Sequence, residues 1–473
     1  MFSFSAILPE IFVLVMACSI LLLDLFVIEN RIAIYRLAQL TLIGAFALTV
    51  PLFDKIPLLA FSGHFMLDNL ALTLKLGAYV LTFFVFLYAY DYLRLQHIKL
   101  GEFYVLGLFS LLGMMVLTSA GSLLTVYLGL ELLSLPLYAM VTLLRDSKLT
   151  SEAAMKYFVM GALASGMLLY GISLMYGMTG ELILMHVAEA SIGMNLVNQS
   201  IMGLGIALIV VGIAFKLGAV PFHMWIPDVY SGATTATVLF IASTSKLAAF
   251  ALAVRLLFNT FGVFFEEWQP MLLILGVLSL IVGNVVALVQ TNIKRLLAYS
   301  TIAHMGFVLL ALASGSLGAG LFYILTYGLM AVAGFAVVIA LSRAGYEAQE
   351  ISDLKGLNRS HPWFAFLIML LMFSLAGVPP LVGFYAKFVV LDAMIKAGLT
   401  PFAIIAVILS VVGAFYYLRI IKVMYFDTSD AQALPQFTPN KPMRVALSIN
   451  SLAFLALGLF PGMLLSYCFW VFA

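Results

Sequence analysis

An all-α, polytopic membrane protein is the fold class that this sequence predicts, and three observations predict it. Of 473 residues, 64% are hydrophobic and only 9% charged, where a soluble domain carries about 25% charged residues. The apolar residues come in runs of about 20, the length that crosses a bilayer as a helix. They do not fall into the alternating segments of ~10 residues that mark an outer-membrane barrel. The 23 lysines and arginines, finally, segregate along the chain as loops on the two sides of a membrane segregate them.

Taken in order, the apolar runs predict fourteen spans, near 5–28, 32–52, 71–91, 102–119, 122–144, 153–178, 200–221, 233–258, 268–290, 296–313, 318–343, 361–397, 401–426 and 445–470. The first stretch lacks a basic leader region and contains Glu10, so it is expected to stay as a span and not to be cleaved. Lys216, Lys246 and Lys387 fall inside spans, and Lys55, Lys75, Arg255 and Lys396 fall in even-numbered loops or their borders. All other lysines and arginines fall in odd-numbered loops, which are then cytoplasmic, so both termini are expected on the opposite, periplasmic side. Residues 179–199 are expected to form a small outer hairpin or cap, and 344–360, with both charge signs, a solvated inner segment.

Two spans read as broken. In the seventh, Pro221 lacks an N–H and crowds the carbonyl of Leu217, so the helix that carries Lys216 should stop just past it. The freed carbonyls, the negative end of a half-helix, are expected to face that cation. Gly377-Val378-Pro379-Pro380 in the twelfth span echoes Gly218-Ala219-Val220-Pro221, with Lys387 near it as Lys216 is near the first break. Two such breaks five spans apart run in opposite directions, the sequence trace of an inverted repeat. The organisation expected is three N-terminal spans (1–100), a first five-span unit (101–260), a second, inverted unit (261–427), and a loop with the last span (428–473).

An ammonium at mid-bilayer costs at least ~2.5 kcal/mol, and an ionisable residue there reads by default as functional, with a partner. Glu131, the carboxylate nearest the middle of a span, reads as the counter-ion of Lys216 or as a glutamate bonded to a neighbouring helix. The hydroxyls of Ser243, Thr244 and Ser245 beside Lys246 either hydrate a path or back-bond to their own helix. His304 reads equally as a satisfied structural group and as a proton relay. His223 and Asp228, inside the first break, read as site residues or as caps of loose backbone. Lys156 either belongs to the path, snorkels to the surface, or pairs with Glu152 four residues away.

The chain shows no GxGxxG, phosphate loop, HExxH, CxxC or facing histidine pair, and Cys18 and Cys468 match no metal spacing. Redox and hydrolytic chemistry have no evident seat. A net charge of +2 without a basic stripe argues against nucleic acid. Sodium requires a cage of oxygens, whereas an amine takes up and releases a proton; a carboxylate, lysines and a histidine suit H⁺ transfer.

Five segments, LPEIFVLVMACSILLLDLF, EAAMKYFVMGALASGMLLYG, GIAFKLGAVPFHMWIPDVYSGA, NIKRLLAYSTIAHMGF and LAGVPPLVGFYAKF, together resemble the antiporter-like membrane subunits of bacterial NADH:quinone oxidoreductase (respiratory complex I), a family shared with Mrp-type cation/proton antiporters. Lys387 within GFYAKF looks like the N-type branch. The resemblance implies about fourteen transmembrane helices with two inverted five-helix repeats, each containing a broken helix, in a bacterial inner membrane. It implies proton-transfer roles for Glu131, Lys216, Lys246, Lys387 and the further lysine Lys156; His304, in the tenth span, is expected to relay the proton from Lys246 toward Lys387. Its partners would be other membrane-arm subunits, antiporter-like and small hydrophobic ones, and lipid. NADH, FMN, iron–sulfur clusters and quinone would sit in those partner subunits and none in this chain. A stand-alone or Mrp-type antiporter subunit is the alternative.

Overall fold

The computed structural model describes residues 4–26, 32–98, 100–193, 196–342, 347–427 and 440–473. The loop cations Arg31, Lys99 and Arg343 lie outside the described residues. The rest is helical because a chain in lipid must satisfy its backbone N–H and C=O groups within each segment. The order is α1 (Leu8–Phe26), α2 (Ile32–Thr49), α3 (Asn69–Leu95), α4 (Leu100–Thr118), α5 (Leu123–Val141), α6 (Lys148–Thr179), α7 (Leu184–Ala190), α8 (Leu196–Leu217), α9 (Trp225–Gly232), α10 (Thr235–Ala242) and α11 (Thr244–Ala253). Then follow α12 (Phe265–Leu288), α13 (Ile293–Ala313), α14 (Leu317–Leu341), α15 (Leu357–Ser360), α16 (Pro362–Ala376), α17 (Val382–Lys396), α18 (Thr400–Tyr425), α19 (Lys441–Leu459) and α20 (Pro461–Trp470).

Among the described residues, 13 helices are long and apolar enough to cross a membrane. The shorter α16 and α17 together complete the broken crossing predicted for 361–397. Side-chain caps set several starts: Asp68 accepts from Ala71 N at the head of α3, Ser122 and Thr125 form a capping box on α5, and Asn292 accepts from Arg295 N on α13. The crossings divide into a centre and a lipid-facing rim. The Thr235–Phe258 crossing is 100% buried and α13 94%, against 33% for the first crossing and for α18. Helices approach closely where glycines meet: a Cβ on Gly276 of α12 would lie 3.2 Å from the Gly306 carbonyl of α13.

Two expectations change, and two are filled in. The eighth span is not one helix: it breaks at Ser243 and, after α11, closes with a π-helical turn at Val254–Phe258. Ser243 and Ser245 both donate back to carbonyls four residues earlier, at 2.6 Å each, which loosens the helix there. The last span stops at Leu459 and resumes at Pro461, because proline at 461 cannot continue the ladder of α19. Of the two forms expected for 179–199, a hairpin or a cap, the described residues fit the cap: they carry α7, strapped by an Ile183–Ser122 bridge to the head of α5. The all-α fold class holds, with one addition: Leu58–Ala60 and Phe65–Leu67 form a short antiparallel hairpin, β1–β2, ahead of α3.

Candidate functional site

The first half of the site is the break after α8. Gly218 turns the chain at φ +81°, which only glycine adopts freely, and its N–H and that of Ala219 both return to the Ala214 carbonyl at 2.8 Å. The Val220 N–H goes to Ser279 Oγ at 2.9 Å. This leaves the last carbonyls of α8, those of Lys216 and Leu217, without helical donors. Both accept from Lys246 Nζ, each at 3.0 Å. Lys246 is completely buried and its ammonium lies 5.1 Å over the Trp225 ring, whose N–H donates to the Phe215 carbonyl.

The sequence placed Lys216 against those carbonyls, and here the structure differs. Helical side chains lean toward the N-terminus of their own helix, so the Lys216 chain leads away from the carbonyls at its C-terminal end. A lysine from the neighbouring span meets them instead. Lys216 reaches sideways to α5 and donates to Ser134 Oγ at 2.6 Å, and Ser134 donates to the Leu130 carbonyl. Glu131 stands on the same stretch of α5 without closing an ion pair on Lys216. Its Oε1 is buried and has no hydrogen-bond donor among the described residues. A void of about 10 Å³, on the scale of one water, separates Ser134, Tyr157, Lys216, Trp225 and Ser245.

The second half is the break after α16, which repeats the first. Gly377 turns at φ +87°, and the N–H groups of Gly377 and Val378 return to the Phe373 carbonyl at 3.0 and 2.9 Å. Lys387 Nζ caps the freed Ala376 carbonyl at 2.8 Å and donates to Ser410 Oγ at 2.9 Å. His304, on α13, is buried with both ring nitrogens engaged, Nδ1 to Tyr323 OH at 2.8 Å and Nε2 to Tyr417 OH at 3.2 Å. Tyr417 also reaches Ser300, and Tyr327, 5.2 Å ring to ring from His304, donates to Thr301 at 2.8 Å. A second void of about 10 Å³ lies between His304, Lys387, Ser410, Asn284 and Tyr417. The two breaks thus each present an ammonium on the carbonyl end of a half-helix; the hydroxyl and the water-sized space lie beside Lys216 at the first break and beside Lys387 at the second.

Lys156 stands apart from these lysines. Its ammonium, about two-fifths exposed, pairs with Glu152 at 2.8 Å and with Asp228 of α9 at 2.7 Å, and Arg295 lies 3.9 Å from the same aspartate. Asp228 therefore belongs to a surface ion cluster. His223 lies in the break between α8 and α9, and its Nδ1 has no hydrogen-bond partner among the described residues.

The profile of the family described as "NADH:quinone oxidoreductase/Mrp antiporter, TM" matches residues 120–413. That range holds Glu131, both breaks and every buried lysine named above. The chain belongs to this family. It is 53% identical over 98% of its length to the NADH-quinone oxidoreductase subunit N of Thioalkalivibrio sulfidiphilus, covering 97% of that protein. It is similar, at 34% identity and TM-score 0.83, to a chain of the respiratory complex I of Thermus thermophilus solved with bound aureothin, covering 97% of this chain and 98% of that one. A chain of the Mrp complex from Dietzia, at 20% identity and TM-score 0.83 over 99% and 97% of the two chains, shares the fold.

Within this family's core the structure adds ionised residues that hydropathy alone places in loops or at their borders. Arg255 is completely buried and holds Asp68 in a two-pronged pair at 2.6 and 2.7 Å, with the Thr118 carbonyl beside it at 2.8 Å. Burial pushes the Asp68 carboxyl up, but the charge and hydrogen bonds of Arg255, the Ala71 N–H and the Lys75 charge together hold the group below its ordinary range. Lys294 is likewise buried and donates to the Ala233 carbonyl at 2.8 Å, with Glu347 at 3.4 Å. Lys75 is buried against Glu10 at 2.6 Å. The available signal was a lone cation flanking an otherwise apolar run, which loop counting spends on topology.

Proposed function

We propose that this chain translocates protons as a non-redox subunit of the membrane arm of an NADH:quinone oxidoreductase, in a bacterial inner membrane with both termini periplasmic. The observation that supports it best is the twice-built arrangement of Lys246 on the Lys216 and Leu217 carbonyls and Lys387 on the Ala376 carbonyl. A fixed cation would need only those carbonyls. Here Lys387 also stands beside the Ser410 hydroxyl, a void and His304, and Lys246 is joined to the end of the helix that carries Lys216, whose own ammonium has the Ser134 hydroxyl and a void beside it, which is what a transferable proton needs. Support for the assembly comes from the relatives, one an NADH-quinone oxidoreductase subunit N and the other a chain of a respiratory complex I.

In this reading spans four to eight and nine to thirteen are two inverted units. Lys216 keeps its proton while the Glu131 carboxylate is close and yields it when that charge withdraws, since the attraction falls with distance. Ser134 holds the ammonium in the separated state. The proton moves by way of Lys246 toward His304, whose two tyrosine contacts let it accept on one nitrogen and donate from the other, and on to Lys387. Redox chemistry, with NADH, FMN, iron–sulfur clusters and quinone, belongs to partner subunits, and this chain has no independent catalytic activity. Lys156 serves the path at its margin, through its link to Asp228 on α9.

The test is made in the assembled complex. Lys216→Ala and Lys246→Ala should leave assembly intact and lose the proton movement that this chain contributes per NADH oxidised. Normal pumping by both variants rejects the assignment. Sodium–proton exchange by the purified chain alone in liposomes would favour a stand-alone antiporter.

A further inference from the structure

Among the described residues, three carboxylate pairs hold a completely buried basic side chain, and two of them are built as locks. Arg255 and Asp68 share two short hydrogen bonds, and two more of the five guanidinium donors go to the Thr118 carbonyl. Glu347 accepts from Lys294, Tyr92, Thr235 and Gln349, while Lys294 also satisfies the Ala233 carbonyl. The third pair, Glu10 on α1 and Lys75 on α3, is built differently. Their contact is 2.6 Å, with side-chain exposures of 8% and 0%. Neither Glu10 oxygen nor Lys75 Nζ has a geometrically sound hydrogen bond among the described residues, and the ammonium otherwise faces the Phe65 ring at 5.0 Å.

A buried ion pair repays its desolvation only when its other donors and lone pairs are satisfied. By that measure Glu10 and Lys75 form a poor structural lock, with three ammonium protons and two carboxylate oxygens sharing one contact. At 2.6 Å the two groups nevertheless stand within the distance over which a proton is exchanged. Passing one proton from Nζ to a Glu10 oxygen breaks one N–H bond, forms one O–H bond and leaves a neutral amine beside a neutral acid. No net charge is created in a medium that penalises charge.

The pair also has neighbours on both sides. On α3, Asp68, Lys75 and Tyr79 fall at i, i+7 and i+11, along one face. Asp68, whose side chain is 28% exposed, opens that face to the outside at the head of α3. It is tied by Arg255 to the end of the crossing that carries Lys246. Tyr79, a turn beyond Lys75, shares a hydrogen bond of 3.2 Å with Thr49 of α2.

Resting on the proton-translocating reading above, we propose that Glu10 and Lys75 form a third proton-exchange site, in the N-terminal three-helix unit. It takes up and releases protons at the membrane face where α1 and α3 begin, with Asp68 and Arg255 linking it to the Lys246 helix. Nothing in the path through Lys216, Lys246, His304 and Lys387 uses either residue.

The experiment compares three forms of the whole complex reconstituted in vesicles: the unaltered protein, Lys216→Ala, and the double variant Glu10→Leu with Lys75→Met. Assembly is read on native gels, NADH oxidation by absorbance, and protons moved per NADH by quenching of an acridine dye. The double variant removes both charges, so it leaves no orphan. It should assemble and oxidise NADH, yet move fewer protons per NADH, by a fraction comparable to that lost in Lys216→Ala. In addition, the infrared difference spectrum between resting and turning-over complex should contain a carboxyl band that Glu10→Gln removes. A double variant that pumps at the unaltered ratio overturns the proposal. So does one that fails to assemble, because that outcome makes the pair structural. If Lys216→Ala also pumps normally, the proton-translocating reading itself fails; if only the double variant pumps normally, this inference alone does.

Discussion

The ammonium of Lys246 bridges the backbone carbonyls of Lys216 and Leu217, 3.0 Å from each, so the helix that carries one lysine ends on the side chain of the other. The two sites cannot move independently. A proton leaving Lys246 removes the charge that caps α8, and the end of α8 carries the backbone of Lys216.

Lys246→Met therefore does more than delete a carrier. It leaves two buried carbonyls without donors, each costing about 1–3 kcal/mol. The expected outcome is an assembled complex with proton movement lost and a lower unfolding temperature than that of Lys387→Met, which orphans a single carbonyl, that of Ala376, and leaves Ser410 a hydroxyl that can turn to another partner. Pumping measured in vesicles and thermal unfolding of the purified complex check both parts.

Ser134→Ala tests the separated state of Lys216. The serine accepts the Lys216 ammonium at 2.6 Å, and its loss sends that ammonium toward the Glu131 carboxylate, which has an uncommitted buried oxygen. A hydrogen bond to a charged group contributes about 1.5–3 kcal/mol. Stabilising the paired state by that amount should slow turnover by roughly tenfold or more. Ser134→Thr, which retains a hydroxyl, should restore most of the rate, and NADH-driven acidification of vesicles is the measurement.

The breaks were legible in the sequence because they are local events. Pro221 and Gly218, like Pro379 and Gly377, state in one dimension where a helix must stop, and the lysines nearby were visible as charges in apolar runs. What was not legible is which ammonium meets which carbonyl, since that depends on how the eighth span packs across the seventh and on the lean of the Lys216 side chain. The pairs Arg255–Asp68 and Lys294–Glu347 were hidden for a related reason. They join residues 187 and 53 positions apart, and hydropathy alone reads each cation as the edge of a loop. Ser243 shows a further limit: a back-bonding serine looks the same in sequence whether its helix bends or breaks.

Glu347 sets a pH dependence on the side of the protein that holds Lys294. Burial pushes its carboxyl up, but the Lys294 charge and the hydrogen bonds from Thr235, Tyr92 and Gln349 together hold it below the ordinary value of 4.5. A carboxyl depressed in the folded state stabilises it at pH values above the unfolded value, and that contribution is lost as pH falls through the folded value. Unfolding temperature should thus be level above pH 4.5 and drop below it, and Glu347→Gln should flatten the drop while lowering stability at neutral pH. A thermal unfolding series across acidic pH checks the sign.

Gly377→Ala separates the turn from the lysine it serves. At φ +87° an alanine is strained by about 1–2 kcal/mol, and its Cβ would stand 2.9 Å from Lys387 Cδ and 3.3 Å from Nζ. The flexible lysine can give way where backbone cannot, so the fold should survive while the ammonium is pushed off the Ala376 carbonyl and away from Ser410. Gly218→Ala meets a harder obstacle, since its Cβ would lie 1.9 Å from Ile226 Cδ1, a branched side chain in a fully buried setting. Gly377→Ala is accordingly expected to assemble and to pump poorly, and Gly218→Ala to lose assembly as well. Native gels read the first difference and vesicle acidification the second; equal assembly of the two variants would mean that the α8 break tolerates repacking that its geometry argues against.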